Sequence, residues 1–422
     1  MKKSVLALIV CCVLLVSATI GLAEAKPVTS ITFAAQSTPT MDYLVSLIPE
    51  FEAKTGIKVV VDMMPYDSLV QKVTIDTTTN TKQYSCFWME PTWLGKFEDE
   101  FEDITKYIED PVLGEGFNLD DFSASFLDQT VRINGKTLGL PFEGCLLVIA
   151  YREDIYDKLG LKIPTTLEEH YENTKRISEE ADMFGVSMMG KRGQPVFYEY
   201  MPYMYGYGGA FFDENMKPTV NSPESVQALE YMIRLSKNAP VGITSFGWEE
   251  SATEFLQGNA ATALLFTDWL PTLKDDTSSK VAGLWNFAPI PAGPGGVGSP
   301  AGTINLGINA DCDDDVKAAA FQFINWATSA EMQFRLASIG ATPTRLSVLD
   351  SKDYATNDYR YFAALKSTYD ITITPMKIPE FFELNDALSI ELSSAIAGEK
   401  TAKEALDSAQ TAWEKIMKDA GY

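Results

Sequence analysis

In GLPFEGCLLVIAYREDIYDKLGLKIPTTLEEH (Gly139–His170) the periodicity changes twice. Leu138 to Pro141 closes a polar segment, and Cys145 to Ala150 is a continuous apolar run of strand length. A continuous rather than alternating run predicts a strand covered on both faces, as in an α/β sheet. Glu143 and Cys145, two apart, are placed on one face of that strand. Tyr151-Arg152-Glu153-Asp154 then leads into a short helix stopped by Gly160. After Pro164, Thr165 or Thr166 can cap a second helix whose first turn carries Glu168 and Glu169, the sign that a helix N-terminus favours.

Outward from this stretch, 422 residues suit two domains better than one core. Lys2 and Lys3 precede an uncharged apolar run from Val5 to Leu22, and Ala23-Glu24-Ala25 is a small-x-small cleavage site. The expectation is a signal peptide over 1–25, cleaved after Ala25, with an uncleaved membrane anchor as the rival reading. Lys26 and not a cysteine stands directly after the cleavage site, which argues against a lipid anchor. Cys86, Cys145 and Cys312 remain after cleavage, an odd number that excludes complete pairing. A Cys86–Cys145 bond is conceivable, and buried free thiols are the simpler expectation. The formal charge of −24 opposes nucleic acid or anionic membrane as a partner.

The chain opens as β–α–β. Thr29–Ala35 is read as a strand, Met41, Leu44, Val45, Leu47, Ile48 and Phe51 recur at helical spacing up to Thr55-Gly56, and Ile57–Met63 is a second strand. Asp67 or Ser68 is expected to cap the next helix. A third strand, Tyr84–Met89, ends in the loop Glu90-Pro91-Thr92-Trp93. In open parallel sheets, ligands sit beyond such carboxyl ends. Met188 to Gly193 reads as a strand end with a glycine loop, and the aromatic block Phe197–Phe212 as a core helix stopped by Gly208-Gly209. Thr262–Phe266 is a strand with Thr267-Asp268-Trp269 at its end. Pro289–Gly302 is an irregular loop, and Thr303–Asn309 a returning strand.

These segments carry a family likeness. LPFE, AYR-D-Y-K-LGL and P-T-T-L-E-E, the peF-TGikV opening (Pro49-Glu50-Phe51, Thr55-Gly56-Ile57-Lys58-Val59) and F-x-x-G-x-A-A (Phe255 to Ala261) resemble the carbohydrate-type (family 1) extracellular solute-binding proteins of ABC importers. Ala341-Thr342-Pro343-Thr344-Arg345 and the C-terminal Gly398-Glu399-Lys400-Thr401 with Glu404-Ala405-Leu406 resemble that group too, the tail most of all its sorbitol/mannitol branch. The resemblance implies an α/β, two-lobed periplasmic-binding-protein fold of type II, each lobe a mainly parallel sheet flanked by helices, with the ligand cleft between. It implies lobe 1 over 26–143 and 302–341, lobe 2 over 144–301 and 342–422, and crossings near 142–146, 299–303 and 341–346. It further implies a periplasmic monomer that closes around a small sugar or polyol and presents it to a membrane permease. Maltodextrin-type members place aromatic residues at the start of the long C-terminal helix. Asn385 and Asp386 are expected there, which implies a small ligand.

The chemistry present agrees with a receptor. One histidine, His170, expected on the surface, makes a His-rich metal site or a Ser-His-Asp triad improbable. There is no phosphate-binding loop, nucleophile elbow or cofactor motif. A hydrolase needs only two carboxylates, so a secreted carbohydrate hydrolase stays open as an alternative. So does a receptor for an organic acid, amino acid or peptide. A sugar site needs apolar faces and forked polar groups, which loops at strand ends supply. In the first lobe these are Gln36, Ser37, Tyr66, Glu90, Trp93 and Glu143. In the second they are Arg192, Trp248, Asp268 and Trp269. Arg192 on its glycine loop offers a donor fork that a carboxylate ligand would also use.

Overall fold

The β–α–β opening runs from Ser30 to Met64. In the computed structural model, which describes residues 28–301, 303–351 and 361–422, the eight principal strands are β1 (Ser30–Gln36), β2 (Lys58–Met64), β3 (Cys86–Met89), β4 (Gly139–Glu143), β5 (Leu147–Arg152), β6 (Thr262–Phe266), β7 (Trp285–Ala288) and β8 (Ile304–Ile308). The signal-peptide expectation lies outside the described residues. Between β1 and β2, the helix Pro39–Thr55 starts where the Thr38 hydroxyl accepts the Met41 amide and ends at Gly56, whose φ of 75° a β-carbon would disfavour. Its buried face is Met41, Leu44, Leu47, Ile48 and Phe51, the residues whose spacing predicts it. The following helix, Tyr66–Thr79, begins one residue before Asp67, with Pro65 in the cap position and no side-chain cap.

Two sheets result. One is ordered β2-β1-β3-β8-β4, the other β6-β5-β7. Strand β1 runs parallel to β2 and β3, whereas β8 is antiparallel to β3 and β4. Strand β5 is antiparallel to both of its neighbours. The first sheet is therefore mixed and the second antiparallel, rather than mainly parallel. Strands β5 and β8 each follow a connection from the other sheet, and each enters against its neighbours' direction.

The long apolar run divides unexpectedly. Glu143 ends β4 in the first sheet and Leu147 begins β5 in the second, so Cys145 lies in the connection and not on a strand with Glu143. Here three connecting segments lie together. The Gly144 amide donates to the Thr342 carbonyl at 2.8 Å, Leu146 bridges Ala301, and the Thr344 hydroxyl donates to the Pro141 carbonyl at 3.0 Å. A β-carbon on Gly144 would come within 2.2 Å of the Tyr369 hydroxyl, so close approach explains this glycine.

Each sheet has its own core. Ile31, Phe33, Phe51, Phe87, Leu306 and Phe323 belong to one cluster around the first sheet. The second sheet is covered on one face by Leu147, Ile149, Tyr203, Phe381 and Trp413, and on the other by Val148, Phe255, Leu265 and Leu365. The helices Phe381–Ile396 and Ala402–Ala420 complete the second core, where the Trp413 indole donates to the Leu384 carbonyl at 2.8 Å.

Several expectations change in detail. The helix Leu167–Glu180 has Thr166 as its cap, but His170 is 2% exposed and lies on the buried face with Leu167, Thr174 and Ile177. It is a core histidine, because its helical spacing from Leu167 and Ile177 outweighs its polarity. The aromatic block forms the buried helix Gln194–Tyr207 with Gly208 at its end. The long helix near the C-terminus begins at Phe381, four residues before Asn385, so aromatics do stand at its start. Cys86, Cys145 and Cys312 are free and buried. No helix of the described residues is long and apolar enough to cross a membrane.

Candidate functional site

Strand ends and helix starts bring chemistry to one place between the two cores. Strand β3 delivers Trp88 and, immediately past its end, Glu90; the turn Pro91–Trp93 follows. Glu90 Oε1 accepts from the Tyr66 hydroxyl at 2.5 Å and from Thr92 Oγ1 at 2.7 Å. The Trp93 indole donates to the Tyr66 oxygen at 3.4 Å. Burial and the adjacent Glu90 raise the Tyr66 phenol well above its ordinary range. Trp88, Trp93 and Tyr66 form an aromatic group, the two indoles 5.7 Å apart and edge to face.

The second core contributes from the glycine loop. Gly193, with φ of 103°, precedes the helix whose first residue is Gln194. Gln194 Nε2 donates to Glu90 Oε1 at 3.3 Å and to the Tyr66 oxygen at 3.4 Å. One helical turn on, Tyr198 packs edge to face on Trp248 and Phe266, with centroids 5.7 and 5.5 Å away. Trp248 and Phe266 also touch, at 5.5 Å.

Beside these lie two carboxyl groups. Glu143 is 1% exposed; its Oε1 accepts from Thr40 Oγ1 at 3.1 Å and its Oε2 has no partner. Burial, then the neighbouring Asp268, pushes its carboxyl up to about 8 against the Thr40 hydrogen bond. Asp268 sits in the turn Thr267–Trp269 that follows β6. Burial raises it to about 6, while backbone amides and the Cys145 thiol stabilise its charged form. The turn is tied to the crossing: Thr267 Oγ1 accepts the Leu146 amide at 3.1 Å and donates to the Gly144 carbonyl at 2.8 Å. Burial and its acidic neighbours Asp268, Glu143 and Glu90 raise the Cys145 thiol, so it serves as a neutral donor.

The sequence-derived residues thus separate. Tyr66, Glu90, Trp93, Glu143, Trp248 and Asp268 stand in this group with Cys145. Trp269 follows Asp268 and packs partly buried against the core that contains Leu146 and Val148. Gln36 and Ser37 end β1; Gln36 is partly buried, Ser37 is exposed, and the Ser37 amide donates to the Met64 carbonyl at 2.9 Å. Arg192 is more than half exposed and forks onto Asp386, with contacts of 2.9 and 3.1 Å. Sequence reasoning missed Thr40, Trp88, Gln194 and Tyr198. Trp88 is two residues before Glu90 on the same strand face, and Gln194 and Tyr198 are four apart on one helix. Those spacings were the signals available.

This geometry offers aromatic faces and buried oxygen acceptors, with unpartnered polar atoms at Trp88 Nε1, Glu143 Oε2, Tyr198 OH and Asp268 Oδ1. Among the described residues no cluster of His, Cys, Asp and Glu is arranged to hold a metal ion. Comparison with known proteins gives the class. A family profile described as bacterial extracellular solute-binding protein matches residues 34–334, and the chain belongs to that family. It is a type II two-lobed receptor with a substrate-binding role. It is similar to an ABC-transporter solute-binding protein from Agrobacterium radiobacter K84 solved with ribitol. The two are 30% identical with a TM-score of 0.84, and the match covers 93% of this chain and 100% of that one. It is also similar to a mannitol-binding protein of Pseudomonas aeruginosa, 25% identical over 384 residues, 84% of this chain and 85% of that protein. A probable amino-acid ABC transporter periplasmic-binding protein of Sinorhizobium fredii is 24% identical over 380 residues, 88% of this chain and 86% of that protein.

Proposed function

We propose that this protein is the exported receptor of an ABC importer and that it captures a small sugar or polyol between its two cores. The observation that carries the reading is the Glu90–Tyr66–Gln194 group beside Glu143 and Asp268. Buried acceptors and aromatic faces converge from both cores, as a hydroxyl-rich, C–H-bearing ligand requires once water is expelled. A relative solved in complex with ribitol and another described as a mannitol-binding protein support the ligand class.

In this reading the lobes are 26–143 with 302–341 and 144–301 with 342–422, hinged where Gly144, Ala301 and Thr342 lie together. Closure presents the loaded form to permease subunits in the membrane. The mature chain begins at Lys26, acts in the periplasm as a monomer, and performs no catalysis. Gln36, Ser37, Tyr66, Glu90, Trp93, Glu143, Trp248, Asp268 and Trp269 are assigned to the ligand site. Arg192 also belongs to this assignment; it forks onto Asp386 in an exposed ion pair, so a carboxylate ligand would compete with Asp386 for it.

A thermal-shift panel of pentitols, hexitols, monosaccharides, disaccharides, amino acids and small organic acids tests the proposal. A ligand at a hundred times its Kd stabilises by about 2.7 kcal/mol. Shifts confined to sugars and polyols are expected; shifts confined to acids or amino acids overturn the reading.

A further inference from the structure

We propose that the preferred ligand is a polyhydroxylated solute bearing one protonated amine, bound with its ammonium group against the carboxyl groups of Glu143 and Asp268. This deepens the sugar or polyol reading and rests on it.

The carboxyl groups of Glu90, Glu143 and Asp268 are near enough to the buried Cys145 thiol to add to the field that, after burial, raises it. Glu90 Oε1 is already occupied by Tyr66, Thr92 and Gln194. Glu143 Oε2 and Asp268 Oδ1 are buried without partners. The charged neighbour that Glu143 senses is Asp268, and Asp268 senses Glu249; both are acidic. Among the described residues, no Lys or Arg pairs with any of the three carboxyl groups. Arg192, two residues before Gln194, pairs instead with Asp386.

Glu143 and Asp268 flank the Gly144–Thr267 hydrogen bond, and with no cation beside them Glu143 keeps its proton at neutral pH. An ammonium group allows that proton to leave and donates hydrogen bonds to both carboxylates. The aromatic rings of Trp248, Tyr198 and Phe266 pack on one another, Phe266 just before the turn that carries Asp268, and indole and phenol faces attract a cation. Trp88 Nε1 and Tyr198 OH are buried and unpartnered, able to meet ligand hydroxyls.

The test is calorimetric titration of the purified mature chain at neutral pH with matched pairs: glucitol against 1-amino-1-deoxyglucitol, and ribitol against 1-amino-1-deoxyribitol. The amine of at least one pair is expected to bind tenfold or more tighter than its neutral counterpart. In Asp268→Asn and Glu143→Gln, each checked for a wild-type melting curve, the gap is expected to shrink below threefold. Should one variant fail to fold, the other decides. Neutral members that bind as tightly as the amines, or tighter, overturn the inference while the polyol reading stands. A gap unchanged in both variants overturns the assignment to these carboxyl groups. Binding by neither member of either pair counts against the inference, and the thermal-shift panel then decides the parent reading.

Discussion

Gln194 donates to Glu90 at 3.3 Å, joining the start of a helix in one core to the end of a strand in the other. The same amide reaches the Tyr66 oxygen, so a single side chain touches both members of a short hydrogen-bonded pair. Removing it leaves the Glu90–Tyr66 pair intact but takes away a contact between the cores. Gln194→Ala should weaken ligand binding by about fivefold, corresponding to ~1 kcal/mol for one hydrogen bond, with an unchanged melting temperature. Calorimetry and melting curves check this; a loss of stability with no loss of affinity contradicts it.

Glu143 gives a pH signature. Its carboxyl titrates near 8 when folded and near its ordinary 4.5 when unfolded. Between those values the folded state holds the extra proton. Its contribution is therefore full below about pH 4.5 and is lost as pH rises through about 8, at roughly 1.4 kcal/mol per pH unit. Glu143→Gln should gain on the wild type by about 2 kcal/mol or more between pH 5 and pH 8 in urea denaturation. Parallel behaviour of the two proteins contradicts the assignment.

His170 has the opposite sign. The Tyr231 hydroxyl donates to the Leu167 carbonyl, so His170 Nδ1 donates to the Tyr231 oxygen and Nε2 is left as a bare, buried acceptor. A second ring proton has no partner there, and burial lowers the imidazole to about 4. The stabilising contribution is present above about 6.5 and lost as pH falls through about 4. His170→Leu should flatten the acid limb of a stability–pH curve between those values. An unchanged slope contradicts this account.

The tryptophans divide by burial. Trp93 is 0% exposed and packs edge to face on Trp88 and Phe97, so Trp93→Ala should cost ~3–5 kcal/mol of stability as well as affinity. Trp269 is only partly buried, and Trp269→Ala should weaken binding by about tenfold while keeping most of the stability. Wild-type affinity in Trp269→Ala would remove that residue from the site.

What the sequence made legible follows local chemistry. Met41 to Phe51 and Gly56 specify a helix and its end, and Thr262–Phe266 is a strand at its predicted bounds, because periodicity and caps are encoded within a few residues. Glu90, Glu143 and Asp268 could be found because each stands at or just past a strand end. Their mutual approach could not, since it depends on three connections meeting near Gly144. Glu143 and Cys145 illustrate the limit: an unbroken apolar run conceals that the chain changes sheets between them. His170 and Arg192 show another. A polar residue's fate is set by which long-range partner it meets, Tyr231 in one case and Asp386 in the other.

The central claim is that the space between the cores, lined by Glu90, Glu143 and Asp268, is where a hydroxyl-rich solute binds. Its most direct test is calorimetric titration of sugars and polyols, with their amino-deoxy counterparts, into the wild type and Glu90→Gln. The account predicts one saturable site per chain in the wild type. It predicts affinity lowered at least tenfold in Glu90→Gln, with the ligand recovered chemically unchanged. Binding restricted to organic acids or amino acids, or equal affinity in the two proteins, would contradict it.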